Sequence, residues 1–188
     1  MLERMAPDSR STLEEYILKK AQSVRFFSYG SNMDESKFRQ DMKGKIGLVN
    51  RTTVTLTGFK RTLSNDSKRH GIAFSISCSP EDKVEGICHD IPIELLEDFL
   101  EKEGVLKKND PSYRVIKVTI PDQNEPILTL CGLKSKSIGQ FTLEEAKEAL
   151  KYVEKSIKGA ECCNINPLDM KKNKEELQEF IKTKENHT

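Results

Sequence analysis

Hydrophobic and polar positions along this 188-residue chain change period several times, and each change marks a predicted element. Near the N-terminus, Leu13, Tyr16 and Ile17 fall at helical spacing, and Ser11 with Glu14 has the spacing of a capping box, which predicts a short packing helix. An apolar run through Phe26 and Phe27 stops at Gly30 and gives way to a charged amphipathic segment ending near Met42: a strand handing over to a helix. Residues 47–60 are rich in Val, Thr and Leu and break at Gly58. Residues 71–78 and 84–91 read as two more strands, joined into a hairpin by the turn-forming Ser79-Pro80-Glu81-Asp82. From Pro92 to Lys102 the spacing is helical again, with Ile93, Leu96, Phe99 and Leu100 on one face and Gly104 as the stop. Alternation returns over 112–120 and 127–133, on either side of a polar turn. Thr142 with Glu145 opens a helix to about Lys158, and 168–184 is a charged helix carrying Leu177, Phe180 and Ile181. Strands cluster before helices instead of alternating with them, which predicts an α+β fold: a mixed sheet curled toward a small barrel, with helices around it. The length suits one domain over 24–188, preceded by a helical extension over 1–23.

Composition removes several function classes. Lys and Arg number 31 against 30 Asp and Glu, a net charge of +1, so no global field draws the chain to nucleic acid or to an acidic membrane surface. The sequence has no apolar run long enough to span a membrane and no signal-peptide core, so the expected compartment is the cytoplasm. Cys78, Cys88, Cys131, Cys162 and Cys163 are odd in number and lack C-x-x-C spacing; they read as reduced, packed thiols and not as metal ligands. His70 and His89 lie in strand-like runs, where a packed or hydrogen-bonded histidine is the ordinary reading, and His187 sits in a polar tail.

Two places carry candidate chemistry. The turn Tyr29-Gly30-Ser31-Asn32 offers backbone N–H groups at a strand-to-helix junction, suited to a carboxylate or a developing oxyanion. Gly30 serves such a turn either by adopting positive φ or by admitting a close approach to its backbone. Asn32 can cap the following helix, with Glu35 at capping-box spacing. The turn lacks the Gly-Lys-Ser/Thr ending of a phosphate loop, and a plain connection remains its ordinary reading. The second place is Glu101-Lys102-Glu103-Gly104. Glu103 follows Phe99 by four residues and Leu96 by seven, on the apolar face, whereas Glu101 projects roughly 160° away. An inward acid at a helix C-terminus feels the unfavourable end of the dipole, and burial adds to the upward push on its pKa, which suits proton transfer near neutral pH. The alternative is a glutamate paired with Lys107 or Arg114, or frayed into water.

Read together, Phe27-Ser-Tyr-Gly-Ser-Asn-Met33, His70-Gly-Ile-Ala73, Ser79-Pro-Glu-Asp82 with Val84 and Gly86, and Leu96 through Glu103-Gly-Val105 followed by Tyr113-Arg-Val-Ile116 occur in the order seen in the γ-glutamylcyclotransferase family. The chain resembles that family from about Val24 to Leu133, and more weakly around Gly159-Ala160-Glu161 and Pro167-Leu168. The resemblance implies a γ-glutamylcyclotransferase-like fold and closure of a γ-glutamyl group to 5-oxoproline with release of an amino acid. It implies Glu103 as the catalytic acid–base group, and Tyr29, Gly30, Ser31, Asn32 and Tyr113 as substrate-binding residues. It implies no cofactor and no metal. The expected partner is a small γ-glutamyl molecule, with a homodimer as the candidate assembly and neither nucleic acid nor membrane. A further tyrosine often lines this family's pocket from the next strand, but here that strand reads Cys131-Gly132-Leu133, which leaves the substrate range open. The alternatives are a same-fold enzyme acting on γ-glutamylamines, lysine isopeptides, glutathione or γ-glutamyl acyl conjugates, and a non-catalytic γ-glutamyl-binding module. Asn32 favours the γ-glutamyl amino acid type.

Overall fold

The computed structural model describes residues 1–17, 22–42, 50–67, 71–107, 109–120 and 125–186. Five strands, β1 (Ser23–Ser28), β2 (Arg51–Ser67), β3 (Gly71–Pro92), β4 (Tyr113–Val118) and β5 (Ile127–Gly132), form one mixed sheet in the order β2-β3-β1-β5-β4. Around it pack α1 (Pro7–Ile17), α2 (Glu35–Asp41), α3 (Leu96–Lys102), α4 (Leu143–Cys162) and α5 (Leu168–Glu185). Strand β1 is central, antiparallel to β3 along its whole length and parallel to β5 at Phe26 and Phe27. Its consecutive side chains point to opposite faces. Phe26 enters an apolar cluster with Leu13, Phe38 and Phe99 from α1, α2 and α3, and Phe27 enters another with Val153, Met170 and Leu177 from α4 and α5. Gly86 of β3 is required beside Phe27, because a Cβ there would lie 2.7 Å from that ring.

The sheet curls because the far end of β2 bonds to the segment that follows β5. The Asp66 N–H donates to the Lys134 carbonyl (2.9 Å), and the Lys136 N–H donates to the Ser64 carbonyl (2.8 Å). The α+β class and the half-barrel are as the patterning predicts. Helix α4 opens with the predicted reciprocal capping box of Thr142 and Glu145. All five cysteines are free thiols, but only Cys88 is buried as expected of a packed thiol, while Cys78 and Cys162 are exposed.

Three local expectations are corrected. Strand β2 does not break at Gly58; the glycine takes φ +81° and absorbs a register shift between Thr57 and Phe59. Opposite it, Ser79–Asp82 is a four-residue excursion within one continuous β3 and not the turn of a hairpin, since the flanking residues pair with β2 on both sides. Helix α1 starts at Pro7, whose fixed φ suits the first helical position, so Ser11 lies inside the helix and not at its cap. The buried Ser9 hydroxyl accepts from the Val115 N–H (3.0 Å) and docks α1 on β4. Residues 47–49 of the predicted second strand, most of the 121–126 turn, His70 and His187 lie outside the described residues.

Candidate active site

Glu103 owes its place to the backbone that ends α3. The Val105 N–H donates to the Leu100 carbonyl and the Gly104 N–H to the Glu101 carbonyl, both at 3.0 Å, and Gly104 takes φ +74°. This is a complete Schellman closure with glycine in the left-handed position, and it makes Glu103 the C-cap. The side chain turns inward and the residue is 9 % exposed, whereas Glu101 points to solvent and pairs with Arg4 at 2.8 Å. A cation beside Glu103 is its chain neighbour Lys102, whose Nζ stands 3.3 Å from Oε1.

The turn after β1 closes against the same acid. Residues Ser31–Met33 form one 3₁₀ turn, with the Met33 N–H donating to the Gly30 carbonyl. Because this turn intervenes, the cap of α2 is Asp34, which accepts from the Lys37 N–H (3.0 Å), and not Asn32 as the spacing predicts. Asn32 is thereby released for another use: its Nδ2 donates to Glu103 Oε1 at 3.1 Å. Gly30 has φ −134°, so its role is close approach and not a left-handed bend. A Cβ at this position would lie 2.5 Å from the Tyr152 hydroxyl.

Tyr29, Gly30, Ser31, Asn32, Glu103 and Tyr113 all line one narrow cavity of about 40 Å³, together with Phe74 and Tyr152. Tyr29 donates its hydroxyl proton to the Leu130 carbonyl, and Tyr113 donates to the Phe74 carbonyl (3.3 Å). Each therefore turns lone pairs, not a proton, toward a guest. Burial, reinforced by the neighbouring phenols and the Glu103 carboxylate, pushes both hydroxyls well above the ordinary tyrosine range, although the Asn65 side chain pulls Tyr113 partly back. Tyr152 of α4 is also raised by burial, while backbone groups of Phe74 and Ser31 that face its hydroxyl pull it partly back.

Tyr152 is the residue that the sequence reading misses. It comes from a helix, beyond the strand in which a second tyrosine was expected, and its α4 neighbours Ala149 and Val153 look like ordinary core. The signal was available in the spacing of a tyrosine between these two buried positions, but its partner Gly30 lies 122 residues away in sequence. His89 is wholly buried, stacked on Phe38 with ring centroids 4.3 Å apart. Burial, then Arg51 and Lys102, depress its pKa to about 3, so it is a neutral packed ring behind Asn32.

A second, larger cavity of about 410 Å³ lies on the other side of the same strands. Where Phe74, Tyr113 and Leu130 face the narrow cavity, their neighbours Ser75, Arg114 and Cys131 line the wide one. None of the residues predicted for the site lies there.

No protein-family model and no curated protein matches the sequence. Solved structures do match in shape. A γ-glutamyl cyclotransferase superimposes with TM-score 0.57 at 20 % identity, over 86 % of this chain and 99 % of that one. This chain has the γ-glutamylcyclotransferase-like fold. The same fold is seen in YkqA from Bacillus subtilis (TM-score 0.61, 20 % identity), where 88 % of this chain matches 58 % of a longer protein. It is seen again in a γ-glutamyl cyclotransferase specific to glutathione from yeast (TM-score 0.54, 14 % identity, 86 % of this chain and 95 % of that one). At these identities the likeness is one of fold, and a cyclotransferase-like fold does not by itself assign an activity.

Proposed function

We propose that the protein is a γ-glutamylcyclotransferase that converts γ-glutamyl amino acids to 5-oxoproline and a free amino acid, with Glu103 as the proton-transfer group. The observation that carries this reading is the buried Glu103 carboxylate in one cavity with the Tyr29–Asn32 turn, joined to it by the Asn32 amide at 3.1 Å.

The chemistry is intramolecular. The α-amine of the γ-glutamyl group attacks its own γ-carbonyl, a C–N bond forms, and the old amide C–N bond breaks. Even a peptide α-amino group, with a pKa of about 7.7–8.0, is largely protonated at neutral pH, and the γ-glutamyl α-amine beside its carboxylate is more so; it must lose a proton before attack. Glu103 takes that proton and returns it to the departing nitrogen, which is a poor leaving group as an anion; such transfer contributes about 10²–10⁴ in rate. The lone pairs of Tyr29 and Tyr113 suit an ammonium or amine donor, so these phenols hold the α-amine near the acid. Backbone N–H groups of Gly30, Ser31 and Asn32 serve the γ-carbonyl oxygen as charge develops on it, where loss of one donor typically costs about 10²–10³. Because both reacting groups belong to one molecule, holding the chain folded does much of the work, with effective molarities reaching about 10⁵–10⁸ M in well-oriented rings.

The test is product identification by mass after incubating the pure protein with γ-glutamyl-alanine, a γ-glutamylamine, an ε-linked lysine isopeptide and glutathione. Release of 5-oxoproline from γ-glutamyl-alanine, abolished in Glu103→Gln, supports the reading. Binding of these compounds without product would instead identify a γ-glutamyl-binding module.

A further inference from the structure

We propose that Lys102 is a positioning residue of this site: its buried ammonium holds Glu103 as the carboxylate and fixes the Asn32 amide that reaches it. The inference rests on the proposed role of Glu103 and extends it to a residue that the family resemblance does not assign.

The geometry is a closed triangle. Lys102 Nζ lies 3.3 Å from Glu103 Oε1 and donates to Asn32 Oδ1 at 3.2 Å, while Asn32 Nδ2 donates to the same Glu103 oxygen at 3.1 Å. An asparagine amide can turn either way, and the ammonium decides the matter. It can only donate, so it takes Oδ1 and leaves Nδ2 for the acid. Lys102 is not a surface lysine that happens to lie near a carboxylate, since its side chain is 6 % exposed and that of Glu103 is 8 % exposed. Its Nζ also stands 5.3 Å from the centroid of the Phe38 ring, against which His89 stacks from β3. A buried ammonium with this much of its hydration removed is retained only where charge and hydrogen bonds replace the water.

Other groups facing the acid point to the same charge state. Tyr29 from the turn, Tyr113 from β4 and Tyr152 from α4 are phenols kept neutral by burial, and the Asn32 side chain carries no charge. Behind the triangle, His89 is held neutral, and Arg51 beside it adds positive potential. Lys102 is a cation in direct contact with Glu103, its Nζ 3.3 Å from Oε1. A general base needs its carboxylate form before it can take a proton from an ammonium, and an opposite charge within about 4–6 Å favours that form by about 1–3 pH units.

The experiment measures the Glu103 carboxyl titration directly, by carbon-13 NMR of glutamate-labelled protein, alongside the pH–rate profile with γ-glutamyl-alanine. Lys102→Met is expected to move the Glu103 titration, and with it the acid limb of kcat, upward by about one unit or more. Lys102→Gln keeps a donor but drops the charge, so it is expected to move the titration in the same direction if the methionine variant fails to fold. Lys102→Arg is expected to restore the wild-type midpoint. An unmoved titration in a folded neutral variant overturns the proposal, even if turnover falls. If the wild type releases no 5-oxoproline from any compound, the proposed activity fails, and the carboxyl titration still decides whether Lys102 sets the charge of Glu103.

Discussion

Two cavities share the walls of β3, β4 and β5 and differ in almost everything else. The narrow one encloses about 40 Å³ and gathers a carboxylate, three phenols and a backbone turn; the wide one, about 410 Å³, is lined by serines, a threonine, Arg114 and two thiols. In the wide cavity the hydroxyls largely satisfy one another or the backbone, as where Ser75 accepts from the Gly132 N–H and Thr62 meets Ser64. The acid that lines the narrow cavity has a buried ammonium against it, that of Lys102 outside the cavity lining, an arrangement that burial alone would penalise. Size is therefore a poor guide to chemistry in this molecule. The informative contrast is between hydroxyls that pair with one another or with the backbone and ionised groups that the fold keeps out of water.

The contrast is broken most severely at Glu103. Glu103→Gln retains the shape and removes the titrating group, so the rate of 5-oxoproline release is expected to fall by about 10²–10⁴, whereas Glu101→Gln, at the same helix end but in solvent, leaves it unchanged. Gly30→Ala comes next. The added methyl would meet the Tyr152 hydroxyl and displace it or the turn, for an expected loss of about 10² in kcat with the far-ultraviolet circular dichroism retained.

His89 sharpens the comparison through stability instead of rate. Its pKa falls from an ordinary 6.5 to about 3 on folding, so between those values the unfolded chain binds a proton that the folded chain refuses. Stability from this group is complete above pH 6.5 and declines as the pH falls toward 3, at up to about 1.4 kcal/mol per unit. In urea melts, His89→Leu is expected to be less acid-sensitive than the wild type across that window; parallel curves would remove His89 as the cause. The smallest effect is expected at the wide cavity. Arg114→Ala should change turnover less than twofold and stability by less than about 0.5 kcal/mol, and a larger change in turnover would show that the wide cavity takes part in the reaction.

The sequence disclosed the parts of this arrangement that depend on near neighbours. The period of Leu96, Phe99 and Leu100 turned Glu103 inward and Glu101 outward, and Gly104 marked the helix end, because three residues of spacing and one left-handed glycine suffice to determine both. Thr142 and Glu145 announced α4 for the same reason. Elements that depend on remote partners were misread. Gly58 looked like a break because nothing local reveals that β3 continues past it, and Ser79–Asp82 looked like a hairpin turn although its flanks both pair with β2. Asn32 looked like a helix cap because a single 3₁₀ turn, with Asp34 as the true cap, is invisible to spacing rules. Tyr152 and Lys102 were missed for one reason: their importance lies in Gly30, Asn32 and Glu103 taken together, and only the folded chain brings these within reach.

Gly104 has a consequence for how this protein tolerates change. The main-chain bonds of its closure turn the acid toward its cavity, where the Lys102 and Asn32 side chains meet it. Cavity-lining residues that do not touch the acid can then vary without re-aiming it, while one unbranched position serves as the pivot from which the carboxyl group is hung.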